Sequence, residues 1–209
     1  MFSLQKLLGK EDKFFDLLEA AVGEACASVR ALAKFTHDPE QTRTLNEFIA
    51  SKHKEKAIAS KISDELCTTF VTALEREDIE ALSTAMYRIP KTIMKIGERI
   101  LLGPDLVRGL DLTRQLVLME KATDTLMAMM KELRKGARLE QIKNHNDDLQ
   151  AIEAEADRML LDLLKCLYSG KTEPVQLIFL KDLFDLLENV TDRCRDAGNV
   201  IVHISLKNS

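Results

Sequence analysis

The chain has no tryptophan, and its 209 residues include only 8 glycines and 4 prolines. Ala, Leu, Glu and Lys are abundant instead, and that balance favours helix. No segment keeps up the alternation of apolar and polar residues that a half-buried strand requires, so no sheet is expected. No apolar run is long enough to cross a bilayer, and no signal-peptide core is visible near the start, so a cytoplasmic protein is expected. A net charge of -4 excludes a nucleic-acid binder that works through a bulk positive field. The cysteines, Cys26, Cys67, Cys166 and Cys194, show no Cys-x-x-Cys spacing and read as buried free thiols of a reducing compartment.

Enzyme signatures are missing as well. None of the 4 histidines has a Glu three positions before it, as a carboxylate-bridged di-iron site would need. There is no Walker-type loop, no dinucleotide-binding fingerprint, no Gly-x-Ser-x-Gly elbow and no Cys–His pairing. No catalytic or cofactor-binding residue is assigned, and a non-enzyme is expected.

The punctuation that does exist divides the chain into six helices. Apolar residues recur at helical spacing from Phe14 to Phe35. Asp38-Pro39 reads as an N-cap followed by proline in the first turn, opening a second helix that runs to about Arg76. Glu77-Asp78 starts a third helix, where the macrodipole favours acid. Gly103-Pro104 stops the third and starts the fourth, Gly136 ends the fourth, the fifth runs to Gly170, and Thr172-Glu173-Pro174 caps the sixth. Pro90 lies inside the third helix and should kink it.

The sixth helix carries a seam of Leu183, Leu187, Val190, Cys194, Ala197, Ile201 and Ile204. The fifth centres its core on Ile152, Ala156, Met159, Leu163 and Leu167. Each of these helices also holds a Glu-x-x-x-Asp pair, Glu153 with Asp157 and Glu188 with Asp192, with Asp185 one turn before Glu188. Residues four apart share a helix face, and like charges so placed repel by about 0.2–0.5 kcal/mol. Water, a basic neighbour such as Lys181 or Arg158, or a bound cation offsets that cost. Helical counting puts these acids on a flank outside the core, so a site between them would be a surface groove. Oxygen-only donors suit Mg²⁺, Ca²⁺ or Mn²⁺, or iron or zinc in a multinuclear cluster. A plain solvated face is the competing reading. Glu120-x-x-x-Asp124 shares the spacing only and reads as surface.

Shifting the first half by 101 positions lays its apolar pattern on the second: Ile58, Ile62 and Leu66 fall on Met159, Leu163 and Leu167. Ile79, Leu82 and Met86 fall on Leu180, Leu183 and Leu187. Two related three-helix units follow, about 1–102 and about 103–209. The acids do not repeat. Lys52 and Lys56 stand opposite Glu153 and Asp157, Tyr87 opposite Glu188, and Lys91 and Lys95 opposite Asp192 and Asp196. Lys52, Lys56, Lys91 and Lys95 would form one patch if the second and third helices are antiparallel neighbours. Such a patch could receive phosphate, an acidic partner or a second copy of the chain, or serve solubility alone.

The doubled three-helix pattern, Glu153-x-x-Ala156-Asp157, and the ending Leu187-Glu188-x-Val190-x-Asp192-Arg193-Cys194-x-Asp196-Ala197-x-Asn199-Val200-Ile201 resemble the PhoU-like proteins. More narrowly, they resemble the small branch of phosphate-transport regulators associated with Pit-type transporters. Asp12-Lys13-Phe14-Phe15, Arg76-Glu77-Asp78-Ile79 and Leu206-Lys207-Asn208-Ser209 extend the likeness over nearly the whole chain. The resemblance implies an all-α pair of three-helix bundles, metal bound by Glu153, Asp157, Glu188 and Asp192 with Asp185 nearby, and contact with a membrane phosphate transporter. A homo-oligomer peripheral to the membrane's inner face is expected as well. The first half departs from the pattern, with lysines, Tyr87 and Arg88 at the acidic positions. A metal-free dimerising scaffold with another partner is the alternative.

Overall fold

The computed structural model describes residues 4–37, 45–136 and 139–208, and these form six helices with no strand among them. They are α1 (Leu4–His37), α2 (Asn46–Thr68), α3 (Arg76–Leu102), α4 (Thr113–Arg134), α5 (Leu139–Leu167) and α6 (Pro174–Lys207). The expected Asp38–Pro39 helix start lies outside the described residues.

α1, α2 and α3 pack on one another, and so do α4, α5 and α6. The two trios meet through α1 against α4 and α3 against α6, while α2 and α5 each touch only their own trio. This is the all-α arrangement of two three-helix units side by side. The cross-trio pairs run antiparallel, as their ion pairs show. Arg134, at the end of α4, reaches Asp16 (2.7 Å) and Glu19 (3.2 Å) near the start of α1. Lys207, at the end of α6, binds Glu75 (2.8 Å) and Asp78 (2.9 Å) at the start of α3. The last pairing sets a cation at one helix C-terminus against acids at another's N-terminus, so both macrodipoles are complemented. These contacts, together with the Lys207–carboxylate hydrogen bonds, hold the Lys207 pKa above its usual range.

Every residue of the seam read from α6 is buried. On α5, Ala156 and Leu167 are buried, while Ile152, Met159 and Leu163 are only half-buried, because α5 is an outer helix with two neighbours. Gly198 lets α5 approach α6 closely: a Cβ there would stand 2.5 Å from Leu149 Cδ1 and 3.0 Å from Asn146 Oδ1. Gly198→Val is expected to destabilise the fold by about 2 kcal/mol through overpacking, read by urea denaturation.

Three helix boundaries differ from the sequence expectation. α2 stops at Thr68 rather than near Arg76, where Thr68, Thr69, Val71 and Thr72 form a β-branched run of low helix propensity. Arg76 instead donates its guanidinium to the carbonyls of Leu66 and Thr69, which the end of α2 leaves without intrahelical partners. Gly103-Pro104 does stop α3, but α4 begins only at Thr113, after a stretch of turns that includes Gly109 at a φ of 79°. The start signal is Asp111, whose side chain accepts the Thr113 N–H at 2.9 Å. α1 extends well beyond Phe14–Phe35 at its N-terminal end. α3 runs unbroken through a buried Pro90, and α6 opens with Pro174 in its first turn. All four cysteines are free. Cys26 and Cys194 are buried as expected, whereas Cys67 and Cys166 are exposed near the end of an outer helix.

Candidate functional site

The helical register of α5 and α6 brings the Glu-x-x-x-Asp pairs together across one interface. The four acids lie outside the core, as helical counting expects: Asp157 is exposed, and Glu153, Glu188 and Asp192 are partly so. α6 is packed by α3, α4 and α5, so its flanks are largely occupied by neighbours. The Glu153 side chain is 16% exposed and that of Asp192 is 25% exposed. Glu188 is half-buried and lines a small cavity with Leu118, Ala156, Met159, Phe184 and Leu187. Burial first, and then Asp192, Asp157 and Glu153, push the Glu188 carboxyl up to about 7, with a hydrogen bond to Asp157 adding to the shift. A group in that position is partly protonated at neutral pH and can share its proton with a neighbouring carboxylate.

The counter-charge comes from Arg195, which sequence reading passed over in favour of Lys181 and Arg158. Its Nη1 binds Glu153 Oε1 on α5 at 2.6 Å, and its Nη2 binds Asp192 Oδ1 and lies 3.3 Å from Asp196 Oδ1. Burial works against the charged guanidinium, but Asp192, Asp196 and Glu153 outweigh it and hold its pKa above the usual range. The signal was present in Asp192-Arg193-Cys194-Arg195-Asp196: an arginine three residues after an acid shares its helix face.

The oxygen donors are of the kind that hard cations take. As arranged, the Arg195 guanidinium stands among them, and a metal at Glu153 and Asp192 would have to displace it. No group of three or more His, Cys, Asp or Glu side chains among the described residues is disposed to hold a metal ion.

Asp185 belongs elsewhere. Its carboxylate pairs with Lys181 at 2.5 Å and faces a groove between α3 and α6 that also holds Lys95, Glu98, Arg99 and Asp182. Arg99 and Asp182 pair across this groove at 3.3 Å. Lys95 therefore borders acidic residues of α6. Lys91 lies over the Tyr87 ring at 6.0 Å. α2 and α3 are packed together, with Lys56 exposed and Lys52 half-buried on α2. Asp124 pairs with Arg30 at 3.8 Å, both side chains largely exposed, in keeping with a surface role.

Compared with solved structures, the chain is similar to two from Shewanella oneidensis MR-1, one described as a PhoU-like protein and the other as a "putative PhoU-like phosphate regulatory protein". Each superposes with a TM-score of 0.76 at 16% identity, covering 93% of this chain and 99% of the other. The fold is the PhoU-like fold. Among curated proteins, the chain is 24% identical over 215 residues to a Rhizobium meliloti protein named "Putative pit accessory protein", covering 98% of this chain and 97% of that one. It is also 25% identical over 146 residues to UPF0111 protein YkaA of Bacillus subtilis, covering 69% of this chain and 70% of that one. No family model matches the chain. The resemblance read from the terminal-helix motif thus agrees with the PhoU-like fold and with the sequence similarity to the protein named "Putative pit accessory protein".

Proposed function

We propose that the chain is a cytoplasmic accessory protein that regulates inorganic phosphate uptake by binding a Pit-type transporter at the inner face of the membrane. The observation that carries this reading is the near end-to-end similarity to a protein named as a pit accessory. The PhoU-like fold supports it. So does the lack, among the described residues, of any helix long and apolar enough to cross a membrane, because a regulator of this kind needs a separate membrane partner. The protein carries out no chemistry in this reading: it presents a rigid face, and the α5–α6 acidic edge and the α2–α3 lysines are the surfaces offered to the transporter or to a second copy.

Two versions of the α5–α6 edge are distinct. In one, a divalent metal or an iron or zinc cluster sits on Glu153, Asp157, Glu188 and Asp192 in place of Arg195. In the other, Arg195 is the permanent counter-charge and the edge works metal-free; the ion pairs of Arg195 with Glu153 and Asp192 favour this version. The test is co-purification with a Pit-type transporter from detergent-solubilised membranes, with metal content measured on the same sample. Glu153→Gln with Asp192→Asn is expected to reduce transporter capture by about tenfold, the loss of roughly one good charge-assisted contact. Capture equal to wild type removes the acidic edge from the proposal. No capture of the transporter by the wild-type chain removes the transporter reading altogether.

A further inference from the structure

Glu55 of α2 is fully buried, and neither of its carboxylate oxygens has a hydrogen-bond partner. A buried, unpartnered acid is costly and is not kept by packing alone. The charged group acting on it is another acid, Glu24 of α1. Glu24 and Ser28 are one turn apart on α1, and Ser51 and Glu55 are one turn apart on α2. The two pairs face each other across the α1–α2 interface. Ser51 Oγ lies 3.0 Å from Glu24 Oε2 and 2.8 Å from Ser28 Oγ. Ser28 and Ser51 are both buried. Ser51 can turn its proton towards the Glu24 main-chain carbonyl, 3.3 Å away, leaving its lone pairs free. Lys54 pairs with Glu24 Oε1 at 3.6 Å from a largely exposed position, and the Glu24 side chain is itself 19% exposed.

We propose that Glu24 and Glu55, with the hydroxyls of Ser28 and Ser51, form a calcium-class divalent-cation site inside the first three-helix unit. Two carboxylates balance the charge of one divalent ion; Glu55 can bind through both oxygens, and Glu24 does so once the ion displaces Lys54 from its Oε1. With two hydroxyls, the shell is made of oxygen alone and reaches the coordination Ca²⁺ takes without retained water. Mg²⁺ sheds its water reluctantly and suits a dry interface poorly. The site is separate from the α5–α6 carboxylates: Glu55 falls opposite Ala156 when the halves are overlaid, not opposite any of those acids. It does not depend on the transporter reading.

The experiment is calorimetric titration of chelator-treated, full-length protein with CaCl₂ and with MgCl₂, with thermal unfolding followed in parallel. Wild type is expected to bind one Ca²⁺ per chain in preference to Mg²⁺ and to unfold at a higher temperature when loaded. Glu55→Gln, with Glu24→Gln as the second variant should the first fold poorly, is expected to bind Ca²⁺ about 100-fold more weakly or not at all. Glu153→Gln with Asp192→Asn is expected to bind as wild type does. The proposal is overturned if wild type takes up no Ca²⁺, if the Glu55 and Glu24 variants bind like wild type, or if binding is lost only with the α5–α6 pair. Transporter capture is read separately, so either reading can fail alone.

Discussion

Arg195→Met is expected to lower the unfolding free energy by about 2 kcal/mol at pH 7, a figure reduced from that for a fully buried pair because the site keeps some contact with water. Arg195 is 29% exposed and holds Glu153 on α5 and Asp192 on α6 at once. Removing it leaves Glu153 and Asp192 without their shared cation, beside the already perturbed Glu188, while Asp196 keeps Arg193 at 3.4 Å. Methionine keeps much of the aliphatic stem, so the loss reports charge more than packing. The pH dependence has a definite sign. With the guanidinium gone, the carboxylates around it repel one another without a counter-charge, so the penalty is largest where carboxylates are ionised. It shrinks as pH falls through about 4, where carboxylates are protonated in both states. Urea denaturation at pH 7 and at pH 4, in a double-mutant cycle with Asp192→Asn, separates the effects. An equal loss at both pH values, or no coupling in the cycle, would mean that Arg195 acts through packing and not as the counter-charge.

The part of the fold legible in the sequence was the part fixed by periodicity. The α6 seam, with its apolar residues alternating at four and three, could be read because one helical face must be apolar along its whole length to be buried. The six helices also group into two trios, the arrangement that the doubled apolar pattern implied. What periodicity does not encode is which flank of a helix a neighbour covers. Asp185 and Glu188 lie close on a helical wheel, yet one faces α3 and the other faces the cavity against α5. Only the placement of three helices around α6 separates them. The ends of α2 and α4 were misread because their signals are tertiary or subtle: Arg76 collects carbonyls from the helix before it, and Asp111 caps from two residues upstream. Glu55 was not legible at all. It stands in a run of lysines and reads as solvated charge until α1 is placed over it.

Glu55→Met is expected to stabilise the metal-free protein, by about 3 kcal/mol at pH 9, the order of the cost of leaving a buried ionised group without partners. Methionine keeps the length of the side chain and removes both orphaned oxygens. Burial first, and then the charge of Glu24, push the Glu55 carboxyl from its usual range up to about 8. A folded pKa raised in this way means that the native state binds a proton that the unfolded chain has released. Its contribution to stability is fully present below about pH 4.5 and is lost steadily as pH rises to about 8. Glu55→Met has no such group, so its stability should be flatter across that window, and its advantage over wild type should grow from pH 5 to pH 9. Denaturation curves in EDTA at several pH values measure this directly. Parallel pH slopes for the two proteins would show that Glu55 does not stay protonated in the folded state. The ranking should reverse with Ca²⁺: a saturating ion favours the native state of the chain that binds it, so wild type gains and the methionine variant does not. A buried carboxyl that weakens the empty protein is in this way what lets the loaded one be stable.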